Sequence, residues 1–63
     1  MSYEELPKKL RMLRRLKRMN NDQFAEFLGV SKDTLKNWLQ KRFKPSITNM
    51  ENLVNMFELE GIL

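Results

Sequence analysis

The chain has 63 residues, 12 of them Lys or Arg and 8 Asp or Glu, giving a formal net charge of +4 and an isoelectric point near 9.8. So short a chain makes one domain (1–63) with a small core, and with no Cys and no His it lacks both a disulfide framework and the usual zinc ligands to staple it. The missing imidazole and thiol, and carboxylates set singly along the chain, argue against acid–base or nucleophilic catalysis, so no enzyme, cofactor, metal or small-molecule site is expected.

The first helix is expected over about Tyr3 to Met19, with Leu6, Leu10, Leu13 and Leu16 as its apolar stripe and Pro7 tolerable only near the start. Asn20 with Gln23 three residues on has the pattern of a capping box, so a second helix runs from Asn21 to about Leu28, burying Phe24, Ala25 and Leu28. Gly29 ends it in the left-handed region, and Ser31 caps a third helix from Lys32 to about Lys41, with Leu35, Trp38 and Leu39 on one face. Lys41 to Pro45 is a basic loop. Ser46 or Thr48 caps a fourth helix whose stripe is Ile47, Met50, Leu53, Val54 and Phe57. Glu60–Leu63 then reads as the vestige of a fifth turn. The fold class is all-α, a compact four-helix domain, with no apolar run long enough for a signal peptide or a membrane span.

Charge is distributed unevenly. Residues 8–18 carry seven cations and no acid, residues 31–46 carry five cations and one acid, and residues 47–63 hold Glu51, Glu58 and Glu60 with no cation. A polyanionic partner suits the first two segments and not the third. Within the 8–18 run, Lys9 and Arg14 are the members best placed to meet a phosphate directly.

Residues 21–40, NDQFAEFLGVSKDTLKNWLQ, are the most informative stretch. Ala25 permits close approach of the next helix, Gly29 supplies the turn, and Val30, Leu35 and Trp38 seal the inside of a steep corner between two helices. The pattern resembles the lambda-repressor-like helix-turn-helix family in its Xre/Cro branch of phage and bacterial regulators, whose motif reads roughly Q-x-x-x-A-x-x-x-G-V-S-x-x-T-[IL]-x-x-W. Here those positions hold Asn21, Ala25, Gly29, Val30, Ser31, Thr34, Leu35 and Trp38, and the likeness covers about residues 9–59. Asn21 replaces the usual Gln, Arg18 stands where a Gly is frequent, and Leu39 stands where a Glu often pairs with the Arg that matches Arg14.

The resemblance implies a transcriptional regulator, a repressor of the Cro/Xre kind, that reads a palindromic double-stranded DNA operator as a homodimer in a bacterial or phage-infected cytoplasm. With Leu35, Trp38 and Leu39 inward, Lys32, Asp33, Lys36 and Asn37 face outward and are the candidate base-reading set in the major groove. Asn21, Ser31, Thr34, Lys41, Arg42, Lys44 and Asn49 are the candidate phosphate contacts. Leu59, Ile62 and Leu63 are the candidate dimer contact. The rival reading is a helix-turn-helix used for protein contact, as an antitoxin or repressor antagonist would use it, or the DNA-binding head of a longer regulator. Cations on the outward face of the third helix favour DNA.

Overall fold

The computed structural model describes residues 2–62. Among them a 3-10 turn at Tyr3–Glu5 leads into four α-helices and no strand: α1 (Leu6–Leu16), α2 (Asn21–Leu28), α3 (Lys32–Leu39) and α4 (Ile47–Leu59). The described residues are thus all-helical with four α-helices, as the sequence pattern leads one to expect. Leu63 lies outside the described residues.

The helix starts follow from side chains that can bind free amides of the first turn. Asn20 accepts from Gln23 N–H at 2.8 Å while Gln23 Oε1 accepts from Asn20 N–H at 3.0 Å, so both halves of the capping box form. Ser31 Oγ accepts from Thr34 N–H at 3.1 Å, and Ser46, rather than Thr48, caps α4 by accepting from Asn49 N–H at 3.1 Å. At α1, Pro7 sits in the first turn, where its lost N–H would have had no intrahelical partner.

The helix ends share one device. After each helix a residue enters the left-handed region: Arg18 (φ 56°), Gly29 (φ 75°), Lys41 (φ 58°) and Gly61 (φ 72°). Around it two backbone bonds close on the last turn, as in Gly29 N–H to Glu26 O at 3.1 Å and Val30 N–H to Ala25 O at 3.0 Å. These are Schellman closures, and they satisfy carbonyls that a helix end otherwise leaves free. Arg18 and Lys41 shorten two expected helices: α1 stops at Leu16 rather than Met19, and α3 stops at Leu39 rather than Lys41. Gly61 ends α4 in the same way, and no fifth helix follows among the described residues.

The core takes Leu6, Leu10 and Leu13 from α1, Phe24 and Ala25 from α2, Leu35 and Trp38 from α3, and Leu53 and Phe57 from α4. Leu28, Val30, Leu39, Met50 and Ile62 are half-buried against it. Three residues of the expected apolar stripes are outside it, among them Val54, half-buried beside an open groove. Leu16 is 54% exposed and Ile47 is 80% exposed. The reason is angular: at about 100° per residue, successive i+3 steps drift about 60° each, which carries Leu16 off the stripe centred on Leu6, Leu10 and Leu13. Ile47 likewise lies roughly a quarter-turn from the direction shared by Leu53 and Phe57.

The C-terminal segment is tied back to α1. Lys17 Nζ pairs with Glu60 Oε1 at 2.6 Å and lies 5.8 Å from the Phe27 ring centroid, while Lys9 Nζ donates to the Ile62 carbonyl at 2.9 Å. Arg14 Nη1 donates to the Met19 carbonyl at 3.2 Å and so braces the turn at Arg18. Lys9 and Arg14 therefore each carry a hydrogen bond that serves the fold.

A left-handed non-glycine residue is strained by about 1–2 kcal/mol. Arg18→Gly is therefore expected to stabilise the domain by about 0.5–1 kcal/mol, seen as a higher urea midpoint with unchanged slope. Gly29→Ala, in open space but at positive φ, is expected to lower it.

Candidate nucleic-acid interface

The α2–α3 corner is fixed by Ala25 and Trp38, which are 2% and 4% exposed, and by the closure at Gly29. That corner determines which side of α3 meets solvent. Leu35 and Trp38 point inward, Thr34 and Leu39 are half-buried, and Lys32, Asp33, Lys36 and Gln40 are exposed, with Asn37 half-buried at the margin. The four expected base-reading residues thus lie on or at the edge of one solvent-facing surface. Gln40 was not among them, although its position lies in line with Lys36 and Asp33. The sequence pattern points to the first turns of the helix, where this motif meets bases, and Gln40 lies at its far end.

Between α1, α2 and α3 lies a cleft of about 400 Å³, floored by Leu35 and Leu39 and walled by Arg11, Arg14, Asn21, Asp22, Lys32, Lys36 and Gln40. It brings Asn21, a candidate phosphate contact, together with Lys32 and Lys36 from the base-reading set. It also adds Arg11 and Asp22, which sequence reasoning missed. Lys32 Nζ pairs with Asp22 Oδ2 at 3.1 Å, with both side chains largely exposed. The pair joins the first turn of α2 to the first turn of α3. An exposed ion pair of this kind adds little stability, but it holds the Lys32 ammonium over the cleft.

The remaining candidate phosphate contacts divide into three groups. Ser31 donates its hydroxyl to Thr34 Oγ1 at 2.9 Å, so these two hydroxyls are already partnered at the start of α3. Lys41, Arg42 and Lys44 stand on an exposed loop, with Pro45 buried beneath it. Asn49 lies apart, in a smaller cleft of about 210 Å³ with Val30, Trp38, Asn52, Asn55 and Met56. Of the candidate dimer contact, Leu59 is 87% exposed, whereas Ile62 is packed on the core.

Lys41 Nζ is 2.7 Å from Glu4 Oε2. The hydrogen bond and the charge of Lys41, with a smaller contribution from Lys44, hold the Glu4 carboxyl below the ordinary carboxylate range. No helix among the described residues is long and apolar enough to cross a membrane, and no group of acidic side chains there is arranged to hold a metal ion.

Two short helices at a tight corner, with a cationic outward face on the second, define a helix-turn-helix domain. A helix-turn-helix family model of the lambda-repressor/Xre-like type matches residues 10–61, and the chain belongs to that family of DNA-binding regulators. Comparison with curated proteins and with solved structures gives no match.

Since Glu4 has a depressed pKa, its pairing is present near neutral pH and is lost as the pH falls through that lowered value. Carboxyl NMR titration is expected to give Glu4 a midpoint below the ordinary carboxylate range, and Lys41→Ala is expected to return it to that range. An ordinary Glu4 midpoint in the parent chain would disprove the contact.

Proposed function

We propose that the chain is a transcriptional repressor of the Cro/Xre kind that binds double-stranded DNA with α3 in the major groove. The observation that carries this reading is the outward face of α3, where Lys32, Asp33, Lys36 and Asn37 surround a solvent-facing strip beside a cationic cleft. Lysine donates to guanine O6 and N7, Asn37 suits adenine N6 and N7, and Asp33 accepts from cytosine N4. Asn21 and Arg42 take phosphates, joined by Lys41 and Lys44 from the loop and by Ser31, Thr34 and Asn49 at helix starts. Protein-docking faces are depleted in lysine at their centre, which disfavours use of this surface for protein contact.

The domain is 25 Å across its longest axis, less than one turn of B-DNA at about 34 Å. Reading two half-sites of a palindromic operator therefore takes two copies, and we place their seam on α4. Pro45, Ile47, Met50 and Val54 line an open apolar groove of about 350 Å³ there, with Glu51 on its rim. Leu59 is the only described member of the first-expected contact still free for such a role. Ile62→Asp is expected to destabilise the fold, because Ile62 packs against the core.

Selection of bound DNA from a random duplex pool, at stated salt, is expected to return a palindromic consensus. Lys36→Ala and Asn37→Ala are each expected to lower affinity by about 1–3 kcal/mol and relax the preference at one position per half-site. No enrichment at low salt would end this reading. In sedimentation on and off DNA, Ile47→Asp is expected to weaken pairing of the two copies more than Leu59→Asp; the reverse order would return the seam to the C-terminal end.

A further inference from the structure

The loop after α3 is fastened from two sides. On the α3 side, Lys41 adopts its left-handed conformation and Arg42 N–H donates to the Asn37 carbonyl at 2.9 Å. On the other side stands the N-terminal 3-10 turn, some forty residues earlier in the chain. Glu4 takes the Lys41 ammonium at 2.7 Å, Tyr3 Oη donates to the Phe43 carbonyl at 3.4 Å, and Lys44 Nζ lies 5.3 Å from the Tyr3 ring centroid. Pro45 is buried at the loop's end.

These contacts use Lys41 and Lys44 and leave their two neighbours. Among the described residues no hydrogen bond or ion pair engages the Arg42 guanidinium, and no ring contact engages Phe43, which is 64% exposed. A single exposed apolar side chain is ordinary on a protein surface. An exposed ring beside an unengaged guanidinium, on a backbone held from both ends and adjoining the helix that faces the DNA, is a more specific arrangement. A ligand that fits it has an anionic group and an apolar face within one residue's reach of each other.

We infer that Arg42 and Phe43 form a prong for one strand of the duplex, Arg42 on a phosphate and the Phe43 ring against the adjoining deoxyribose. This rests on the DNA-binding reading above. The C–H face of deoxyribose is apolar, so ring and sugar leave water together, while the phosphate beside it takes the guanidinium. The two residues then contribute by different physics. Arg42 releases a counterion and makes binding salt-dependent; Phe43 buries apolar surface and adds affinity that salt does not screen. Tyr3 and Glu4 are positioning residues, since they hold the loop that carries the prong.

The test titrates the selected duplex by fluorescence anisotropy across a series of salt concentrations. Phe43→Ala is expected to weaken binding about fivefold at every salt concentration, leaving the salt slope unchanged. Phe43→Leu is expected to keep most of the affinity. Arg42→Ala is expected to reduce the slope by about one. Tyr3→Ala is expected to share part of the salt-independent loss. Because Phe43 lies outside the core, circular dichroism of Phe43→Ala is expected to match the parent. Binding by Phe43→Ala within twofold of the parent overturns the inference, as does a loss that comes with a changed slope. Weakened self-association of Phe43→Ala without DNA also overturns it, because the ring would then belong to a contact between two copies. If the parent binds no duplex at all, the DNA-binding reading falls together with the prong; if the parent binds and Phe43→Ala is unaffected, only the prong falls.

Discussion

A left-handed residue follows every α-helix of this chain, and the pair of backbone hydrogen bonds around it turns the path sharply at each corner. The core depends on those corners. Among the described residues a core cluster of only nine side chains holds the domain together, without a disulfide or a metal ligand set, and they meet because each helix stops where the next can fold back. At Gly29 the turn is unstrained, and the Ala25 carbonyl that closes it belongs to the residue whose small side chain lets α3 approach. At Arg18 and Lys41 the same turn is made against the preference of an L side chain. Supporting contacts accompany both: Arg14 binds the Met19 carbonyl beside Arg18, and Glu4 binds Lys41 itself.

Those two positions also mark where the sequence stops being readable. The capping box of Asn20 and Gln23, the cap at Ser31 and the turn at Gly29 were legible because residue type dictates the local geometry. Nothing in Arg18 or Lys41 announces a left-handed backbone, so the apolar spacing carries both helices past their true ends. Spacing alone puts Leu16 and Ile47 in the core, and angular drift carries both to the surface. The outward face of α3 was legible for a better reason. Leu35 and Trp38 must be buried, and fixing the inside of a helix fixes its outside. What spacing cannot supply is the pairing of distant residues, so the Asp22–Lys32 and Glu4–Lys41 contacts appear only with the fold.

Electrostatics separates two uses of lysine and arginine that the charge count merged. Lys9, Arg14 and Lys17 are engaged with carbonyls or with Glu60, so part of the cationic run of α1 attaches the acidic C-terminal segment and braces a turn. The net charge of the final helix thus marks a docked element, and not only a surface that avoids a polyanion. Toward the α3 face the cations have lighter partners. Lys32 shares Asp22, and Lys41 shares Glu4, in exposed pairs that water and salt weaken readily.

Such partners alter what a phosphate or base must do to bind. Asp22 and Glu4 act as resident counterions, holding two lysines in place while lowering the field those lysines project. A ligand that takes Lys32 must displace or outcompete Asp22, and a weak, purely electrostatic contact has little with which to do so. A guanine edge offering O6 and N7 together has more. The acid therefore suppresses loose binding more than well-matched binding, and specificity is a difference between the two. Arg42, with no acid beside it among the described residues, has no such filter. On the DNA-binding reading proposed above, the filter falls on Lys32 in the base-reading set and on Lys41 in the phosphate set, while Lys36 and Arg42 stand without an ion-pair partner among the described residues.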